Sequence, residues 1–464
     1  MSFTRTRLLS FGDRPMAVSA DATRSYAELV AGIDAWQAAL ADYGIGPGSR
    51  VALITDYHVD SVGLLLALIE CACIVIPMSA DDHSLFDERL TVAQATHVLT
   101  VPSVGLINPQ TVSCEQRTEA TERPHPLLAT LVEDQRAGMV IFTSGSTGKG
   151  KAVLLDYARM VERFADQVRP AYRTLLFLKL DHIGGINTLL SVLFNGGTVV
   201  TCASRGASEI SACIERHAVE LLPTTPSFLT MFLMSRAYRG HDLSSLRVIT
   251  YGTEVMPAST LDSLHRTFPQ IQLKQTYGLS ELGILSTQSR GCGSRWMKIG
   301  GDGFELDVRE GVLWIRSRQA MLGYLNAPSP FDAEGWYNTG DRVEVDGEYY
   351  QVLGRESEII NVAGEKVFPA EIESFLLTLG NVRDVLVREK RSPVVGQMIW
   401  AEFLLEHDED PAAFKRRVID QCQQRLAPFK VPGFISIARG DSLVGSRFKK
   451  IRAGVAPTET VVNS

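Results

Sequence analysis

The chain has 464 residues, of which 45% are hydrophobic and 21% charged, a composition that suits roughly two to four globular domains. Its formal net charge of −7 excludes a general electrostatic attraction to nucleic acid or to an anionic membrane, so neither is expected as a partner. The seven cysteines are dispersed and form no CxxC pair, which predicts neither a disulfide framework nor a structural zinc site.

The N-terminal segment and the most apolar run bear on localisation. The first residues lack the apolar core of a signal peptide. The run 62–78 is interrupted by Glu70 and Pro77, so it predicts an amphipathic helix leading into a buried strand rather than a membrane span. Together with the cysteine pattern, this indicates a cytoplasmic protein.

Strand-like runs alternate with helical patterns through the first two thirds of the chain. The predicted strands cover 51–54, 74–77, 139–142, 175–178, 198–201 and 246–250, and Asp156 is a candidate N-cap of a helix between them. Such alternation predicts an α/β fold with parallel sheets flanked by helices. The region 101–126 is expected to be a loop.

From about Gly300 the pattern changes to short strands with glycine-rich turns, at 304–308, 312–315, 343–345 and 349–353. After residue 353 it changes again. A helix is predicted at 371–379, strands at 382–387 and 399–405, and a helix at 411–426 that begins with Pro411. The expected division is therefore an N-terminal domain of residues 1–353 and a C-terminal α+β domain of residues 354–464.

The strongest local motif is a glycine-rich loop directly after an apolar strand. It combines three glycines, four hydroxyl side chains and two lysines in the run Thr143-Ser144-Gly145-Ser146-Thr147-Gly148-Lys149-Gly150-Lys151. Backbone amides freed by glycine, hydroxyl donors and lysine charge together suit phosphate oxygens. A plain Ser/Gly linker would not need the abutting strand or the lysines.

The same loop almost matches the phosphate-binding motif of P-loop kinases and ATPases. That motif requires Ser or Thr after the second lysine, to bind magnesium and to open a helix. This chain has Ala152 there, followed by the strand-like run 153–155. A P-loop enzyme is therefore the disfavoured alternative from a different class.

Four further segments follow the loop in a fixed order. They are Tyr277-Gly278-Leu279-Ser280-Glu281, Trp336-Tyr337-Asn338-Thr339-Gly340-Asp341, the stretch that starts at Gly354-Arg355, and the basic tail Arg447-Phe448-Lys449-Lys450-Ile451-Arg452. In this order the set resembles the adenylate-forming superfamily, which includes acyl-CoA synthetases, adenylation domains of nonribosomal peptide synthetases, and luciferases. The resemblance runs from about Tyr26 to Arg452.

The resemblance implies a fold and an activity. The fold would be α/β, with a large N-terminal domain of two doubly wound α/β subdomains plus a small β-barrel-like subdomain, and a small mobile α+β C-terminal domain. The activity would be ATP-dependent formation of an acyl-adenylate with release of pyrophosphate, followed by acyl transfer to a thiol. Magnesium would accompany ATP.

The resemblance also assigns nucleotide-binding residues. The loop Thr143 through Lys151 (Thr143, Ser144, Gly145, Ser146, Thr147, Gly148 and Lys151) would close over the ATP phosphates. Tyr277 and Gly278 would lie by the adenine together with Gly252 and Thr253, whereas Ser280 would contact phosphate. Glu281 would hold the metal ion, and Asp341 and Arg355 would bind the ribose. Carboxylate oxygens suit both a vicinal diol and a hard cation.

The catalytic lysine implied by the resemblance is Lys449. Lys450 is the alternative, because the glycine usual before that lysine is absent. The C-terminal domain would rotate around Ser357, at a hinge where Asp or Lys is usual. Lys151, Ser280 and Glu281 complete the set of residues expected to act in catalysis.

The acid pocket is expected around Asp181-His182-Ile183-Gly184-Gly185, with Tyr251 and Gly283. Gly185 and Gly283 would leave room for an acyl or aryl chain. A helix-capping Asp and a packed His are the structural alternative, and in amino-acid-activating members an Asp near this position binds the ammonium group. The substrate would be a small-molecule carboxylic acid. The acceptor would be coenzyme A or, as the alternative, the phosphopantetheine arm of a carrier protein.

Overall fold

The computed structural model describes residues 3–20, 22–80, 85–102, 107–117, 124–143, 150–165, 169–392, 396–438, 443 and 450. The elements of the α/β part are, in chain order, α1 (Phe3–Leu9), β1 (Pro15–Val18), β2 (Thr23–Ser25), α2 (Tyr26–Asp42), β3 (Arg50–Ile54), α3 (Ser61–Glu70), β4 (Ile74–Met78), α4 (Phe86–Val92), β5 (His97–Thr100), β6 (Ser113–Gln116), α5 (Pro126–Glu133), β7 (Gly138–Thr143), β8 (Lys151–Asp156), α6 (Tyr157–Glu162), β9 (Arg173–Leu175), α7 (Ile183–Phe194), β10 (Thr198–Val200), α8 (Ala207–His217), β11 (Leu221–Thr224), α9 (Pro226–Ser235), β12 (Val248–Tyr251), α10 (Ala258–Thr267) and β13 (Gln272–Gln275).

The remaining elements are mostly strands. They are β14 (Tyr277–Leu279), β15 (Gly283–Ser289), β16 (Met297–Gly300), β17 (Phe304–Arg309), β18 (Val312–Ser317), β19 (Gly323–Tyr324), β20 (Tyr337–Asp346), β21 (Tyr349–Arg355), β22 (Ile360–Val362), β23 (Glu365–Val367), α11 (Pro369–Leu376), β24 (Val382–Ser392), β25 (Gly396–Leu405), α12 (Pro411–Arg425) and β26 (Phe434–Ile437). Short 3₁₀ helices cover Ala237–Gly240, Glu356–Glu358 and Pro428–Lys430.

Two seven-stranded sheets form the α/β part. Sheet I has the order β19-β8-β7-β4-β3-β5-β6, and sheet II has the order β13-β12-β11-β9-β10-β1-β2. The central pairs of both sheets are parallel, and antiparallel strands complete the edges. The predicted parallel α/β fold is confirmed.

Both faces of each sheet are covered, as alternating side chains show. In β7, Met139 and Ile141 join the core that contains α2 and α3, whereas Val140 and Phe142 join the core that contains α4 and α5. The first of these cores also reaches α7 and one face of sheet II, and the other face of sheet II packs on α8, α9 and α10. Burial on both faces explains why these strands read as continuous apolar runs.

The helix α3 is an exception to the amphipathic expectation. Its residues from Ser61 to Ile69 are all buried, so it is apolar around its whole circumference. A helix hydrophobic all round belongs inside a core. No helix in the described part of the chain combines the length and apolarity needed to cross a bilayer.

The β-rich region begins earlier than the sequence pattern suggests. Sheet III has the antiparallel order β14-β15-β16-β21-β20-β18-β17, so it starts at Tyr277 rather than near Gly300. The pairing runs from β14 at one edge to β17 at the other, an open sheet rather than a closed barrel. The strand expected at 175–178 ends at Leu175, and the expected loop at 101–126 contains β6, which pairs with β5.

Sheet IV has the order β23-β22-β25-β24, and β26 pairs with β25. Its core contains the buried face of α12, where Phe414, Val418 and Cys422 recur as the sequence predicts, and Asp410 caps that helix. The division after residue 353 stays a prediction. β21 continues to Arg355, which pairs with Asp341, and sheet IV begins at Ile360.

One cysteine pair departs from the sequence expectation. Cys202 and Cys213 form a disulfide, with their Cα atoms 6.4 Å apart, whereas the other five cysteines are free thiols. Cys202 follows β10, and Cys213 lies on the buried face of α8. Because α8 packs back against the end of β10, the two cysteines lie side by side. The eleven-residue separation hides this pairing from a search for CxxC motifs.

Candidate active site

The glycine-rich loop connects two antiparallel strands. β7 pairs with β8 in a register that sets Thr143 opposite Lys151, so the two ends of the loop are fixed beside each other. Ser144, Gly145, Ser146, Thr147 and Gly148 lie outside the described residues. A P-loop needs a helix after its lysine, but here Lys151 opens a strand. The P-loop alternative is therefore wrong.

A buried tyrosine joins this loop to Glu281. Tyr324 lies on β19, which pairs with β8. Its hydroxyl donates to Glu281 Oε1 at 2.7 Å, and Lys151 Nζ lies 5.0 Å from the centre of its ring. Burial and the Glu281 carboxylate both raise the pKa of Tyr324, so the hydroxyl keeps its proton and acts as a donor. Lys151 and Glu281 were predicted from different motifs, and both contact Tyr324, Lys151 at the ring face and Glu281 at the hydroxyl.

The base of the loop is held by an amide that the sequence analysis missed. The Ala152 N–H donates to Asn326 Oδ1 at 2.9 Å, and Asn326 Nδ2 donates to the Gly150 carbonyl at 2.9 Å. The Leu325 N–H donates to the Ala152 carbonyl. Asn326 ends the run Gly-Tyr-Leu-Asn shortly before Pro328. Nothing in that run indicates a hydrogen bond to a loop some 170 residues earlier in the chain.

A second cluster surrounds Asp341, on β20. The Tyr277 hydroxyl donates to Asp341 Oδ2 at 2.6 Å, and Arg355 Nε lies 3.3 Å from Oδ1. Asp341 is only 6% exposed. Burial raises its pKa, whereas Arg355 and the Tyr277 hydroxyl oppose that rise. Burial and the same carboxylate raise the pKa of Tyr277. The hydrogen bond to Asp341 therefore holds the Tyr277 ring in place. The predicted position of Tyr277 beside the adenine did not include this hydrogen bond.

The two clusters belong to one site. Burial lowers the pKa of Arg355, but nearby groups raise it by more, so the net pKa is raised. These groups are Asp341, Glu358, Tyr277 and Glu281. Tyr337, quoted in the sequence motif without a role, also faces both clusters. Burial and Glu281 raise its pKa to about 12, and it hydrogen-bonds with Tyr324. Glu281 and Asp341 thus share one electrostatic environment.

The segment after β12 is tightly packed against the start of sheet III. A Cβ atom on Gly252 would lie 2.4 Å from Thr276 Oγ1, so only glycine fits there. Thr253 has φ +73°, a left-handed conformation that is uncommon for a β-branched residue. Tyr251 is buried, and its carbonyl accepts from the Thr276 N–H. Gly278 pairs with Ile284 in the β14–β15 hairpin, and a Cβ atom on Gly278 would lie 2.8 Å from the Gly283 carbonyl oxygen. The turn of this hairpin contains Ser280 and Glu281.

The residues expected around the acid have mixed roles. His182 caps α7, with its Nδ1 accepting from the Gly184 N–H at 3.0 Å, and the neighbouring Asp181 is buried. A Cβ atom on Gly185 would lie 2.0 Å from the Lys179 carbonyl oxygen and 2.6 Å from the Tyr57 hydroxyl. The space beside Gly185 is therefore filled by protein, and glycine there permits close packing of the turn before α7.

A cavity does border Gly283. The space within it and in the open solvent at its mouth together is about 340 Å³. The walls come from β8, α6, α7, β15 and the segment after β18, through Leu155, Met160, Arg163, Ile183, Asn187, Leu190, Gly283, Ile284 and Gln319. Ile183 follows His182, and Gly283 lies two residues after Glu281. The cavity thus adjoins both expected acid-binding segments.

The C-terminal tail reaches this site through Lys450. Its N–H donates to Glu254 Oε1 at 2.7 Å, and Glu254 also accepts from the Ser227 hydroxyl at 2.6 Å. The Lys450 side chain turns away. Its Nζ lies 3.3 Å from both Glu373 Oε2 and Asp384 Oδ1, and the side chain is 7% exposed. Lys449 lies outside the described residues, and Ser357 lies in the 3₁₀ helix between β21 and β22.

The donor set is compatible with a nucleotide and one magnesium ion. Mg²⁺ usually keeps several waters and takes one or two carboxylates plus phosphate oxygens. Glu281 supplies a carboxylate next to the loop, and the described residues contain no group of three or more side chains that could cage a metal alone. Asp341 retains acceptor capacity beyond its two contacts, because an ionised carboxylate offers about four lone-pair sites.

Comparison with known proteins extends this picture. The family model for AMP-binding enzymes matches residues 5–325. The 4-coumarate–CoA ligase 1 of Narcissus pseudonarcissus is 27% identical over 454 residues, covering 86% of this chain and 82% of the relative. The 4-coumarate–CoA ligase 3 of Arabidopsis thaliana is 30% identical, but its alignment covers 56% of this chain and 53% of the relative.

A solved structure shares the fold. An anthranilate CoA ligase in complex with anthranoyl-AMP superimposes with a TM-score of 0.79 at 19% identity, over 97% of this chain and 95% of that chain. The family match covers more than half of the chain and includes the glycine-rich loop, Glu281 and the Tyr324 segment. The chain therefore belongs to the AMP-binding enzymes, within the adenylate-forming superfamily that its motifs resemble.

Proposed function

We propose that this protein is an AMP-forming acid–thiol ligase. A carboxylic acid attacks the α-phosphorus of ATP, pyrophosphate leaves, and the acyl group then passes from AMP to a thiol. Coenzyme A is the favoured acceptor, because the relative aligned over 86% of this chain is a CoA ligase. A carrier-protein phosphopantetheine presents the same thiol and is the second candidate.

The observation that supports the proposal is that both expected nucleotide-binding carboxylates are oriented by tyrosine hydroxyls. Asp341 accepts from Tyr277 and contacts Arg355, and Glu281 accepts from Tyr324. One carboxylate would bind the ribose and the other the metal ion beside the phosphates. Lys151 lies on the Glu281 side, where the phosphates would be.

Each residue contributes by position and charge. Asp341 accepts hydrogen bonds from the ribose hydroxyls, and Arg355 holds that carboxylate in place. Lys151 and the loop that it ends neutralise phosphate charge. Tyr324 orients Glu281 through its hydroxyl. Since the two reactants are both anions, orientation and charge neutralisation account for most of the rate enhancement.

Magnesium and the catalytic lysine complete the site. Glu281 would hold Mg²⁺, which supplies charge compensation for the leaving pyrophosphate. Lys449 would bridge the carboxylate and the α-phosphate. The Lys450 amine is held by Glu373 and Asp384, which favours Lys449 over Lys450 for this role. Rotation about Ser357 would separate the adenylation step from the thiol step.

Pyrophosphate–ATP exchange tests the proposal directly. The purified protein is incubated with ATP, Mg²⁺, labelled pyrophosphate and one acid at a time, without thiol. The panel covers fatty acids, benzoates, cinnamates, dicarboxylic acids and amino acids. Acid-dependent exchange is expected with one class, and absence of exchange with every acid would overturn the proposal. Thioester formation with coenzyme A, compared with a phosphopantetheinylated carrier, then identifies the acceptor.

A further inference from the structure

The cavity beside Gly283 contains a guanidinium group whose contacts are incomplete. Arg163, at the end of α6, lines the cavity and donates through Nη1 to the Ile284 carbonyl. Its Nε is buried and has no hydrogen-bond partner among the described residues. A buried N–H without an acceptor costs free energy, so such a group is expected to meet a ligand or ordered water.

Two more cations lie near Arg163. Burial lowers the pKa of Lys274, on β13, and repulsion from Arg169 and Arg163 lowers it further. Burial, and to a lesser extent repulsion from Arg169, lowers the pKa of Arg163 to about 10. Arg163 and Lys274 therefore lie close enough to repel each other, and an anionic group bound beside them would relieve that repulsion.

The rest of the cavity wall combines apolar and polar side chains. Leu155, Ile183 and Leu190 are apolar, whereas Asn187 and Gln319 add polar groups. Two of the lining residues, Gly283 and Ile183, stand close in sequence to Glu281 and His182, so the cavity belongs to the segments that are expected to bind the acid. Such a wall suits the apolar body of an acid that also carries a polar group.

We propose that the acid substrate carries a second anionic group, and that Arg163, with Lys274 nearby, binds it in this cavity. The substrate class is thus a small dicarboxylic acid, activated at one carboxylate and recognised at the other. The guanidinium of Arg163 offers planar donors that suit a carboxylate. This inference rests on the proposed adenylation activity.

The test compares acids matched in shape but not in charge. Glutarate is paired with 5-methylhexanoate, and terephthalate with 4-isopropylbenzoate, since an isopropyl group replaces the distal carboxylate with similar volume. Pyrophosphate–ATP exchange is measured for each. The diacid of at least one pair is expected to exceed its neutral partner in kcat/KM by about tenfold or more, as expected when a buried polar site loses its ligand.

Variants then assign the preference to the cations. Lys274→Met and Arg163→Met should each lower the ratio of kcat/KM for the diacid to kcat/KM for the neutral acid, and Arg163→Lys should retain part of that preference. Lys415→Met, which removes an exposed charge on α12, should leave the ratio unchanged. Lys274→Met keeps the test valid if Arg163→Met does not fold, because Arg163 also supports β15 through Ile284.

The outcomes separate the two proposals. Exchange with neutral acids but not with diacids, or an equal loss for both acids in the variants, would overturn the dicarboxylate inference and leave the ligase activity standing. Absence of exchange with every acid, including the neutral ones, would overturn the ligase activity itself.

Discussion

Asp341 shows how a single side chain can be prepared for a ligand. Its two oxygens are already oriented by the Tyr277 hydroxyl and by Arg355, and it is almost fully buried. Burial raises the pKa of Asp341, and the two donors oppose that rise. The same two contacts hold the carboxyl group in one orientation, so little reorientation would be needed to bind the ribose hydroxyls.

Replacing Asp341 with asparagine should weaken ATP binding. The change removes the charge and one acceptor, and a hydrogen bond to a charged group contributes about 1.5–3 kcal/mol, or about 10- to 100-fold in Kd. Isothermal titration with ATP measures the effect. Asp346→Asn, on the same strand but paired with Arg290 at the surface, is the matched control. Equal affinities in both variants would refute the ribose role.

The adjacent lysines of the tail should behave differently. Lys449→Ala should lower pyrophosphate exchange by about 100-fold or more without loss of ATP binding, because the missing charge acts on the reacting groups. Lys450→Met should instead destabilise the C-terminal unit by about 3–5 kcal/mol, since it leaves the buried Glu373 without its cation. Exchange and urea unfolding distinguish them. Loss of exchange in a stably folded Lys450→Met protein would reverse the assignment.

At this scale the sequence predicts residue types better than contacts. The ordered motifs, through their resemblance to the adenylate-forming superfamily, predict roles for Lys151, Glu281 and Asp341. They do not identify Tyr324 or Asn326, since an isolated tyrosine or asparagine has many structural uses. Nor do they reveal that His182 caps α7. Such partners depend on long-range pairing that one sequence does not display.

At the scale of the element, the β7–β8 hairpin determines the class of the nucleotide site. The strand predicted from the apolar run 153–155 is confirmed as β8, and the structure adds the register that aligns the loop ends. Most of the other apolar runs also predict strands correctly, although the strand expected at 175–178 ends at Leu175. The early start of sheet III was not predictable from the sequence, because β14 has only three residues and is defined by its pairing with β15.

Gly185 offers a test of packing at the start of α7. A Cβ atom 2.0 Å from the Lys179 carbonyl cannot be accommodated without backbone movement, so Gly185→Ala should cost at least about 1–3 kcal/mol. The control is Gly32→Ala in α2, where no atom lies within 4 Å, which should stabilise the helix by about 0.5–1 kcal/mol. Urea unfolding compares them. A neutral Gly185→Ala would mean that the cavity extends to this turn.

At the scale of the whole molecule, Glu254 joins the two parts of the chain. It accepts from Ser227 at the start of α9 and from the Lys450 backbone, while the Ser374 hydroxyl accepts from the Ala258 N–H nearby. These contacts join the Lys450 backbone to the segment that follows β12. We therefore expect Glu254 to support the half-reaction that needs the C-terminal lysine at the nucleotide, which is adenylation.

Glu254→Ala should slow the first half-reaction selectively. Losing a charged acceptor for the Lys450 N–H should reduce pyrophosphate exchange by about tenfold. Thioester formation from a supplied acyl-adenylate should be unaffected, because that step would use another orientation. Asp262→Ala, exposed on α10, serves as the control. An equal decrease in both half-reactions would indicate general damage instead.

The stretch from Gln319 to Asn326 has a consequence for evolution and engineering. Within eight residues it lines the cavity, donates to the carboxylate of Glu281 and braces the base of the glycine-rich loop. A substitution that reshapes the cavity through this stretch will also shift the groups around the nucleotide. Acid preference and ATP affinity should therefore change together, and a library aimed at new acids must be screened at several ATP concentrations.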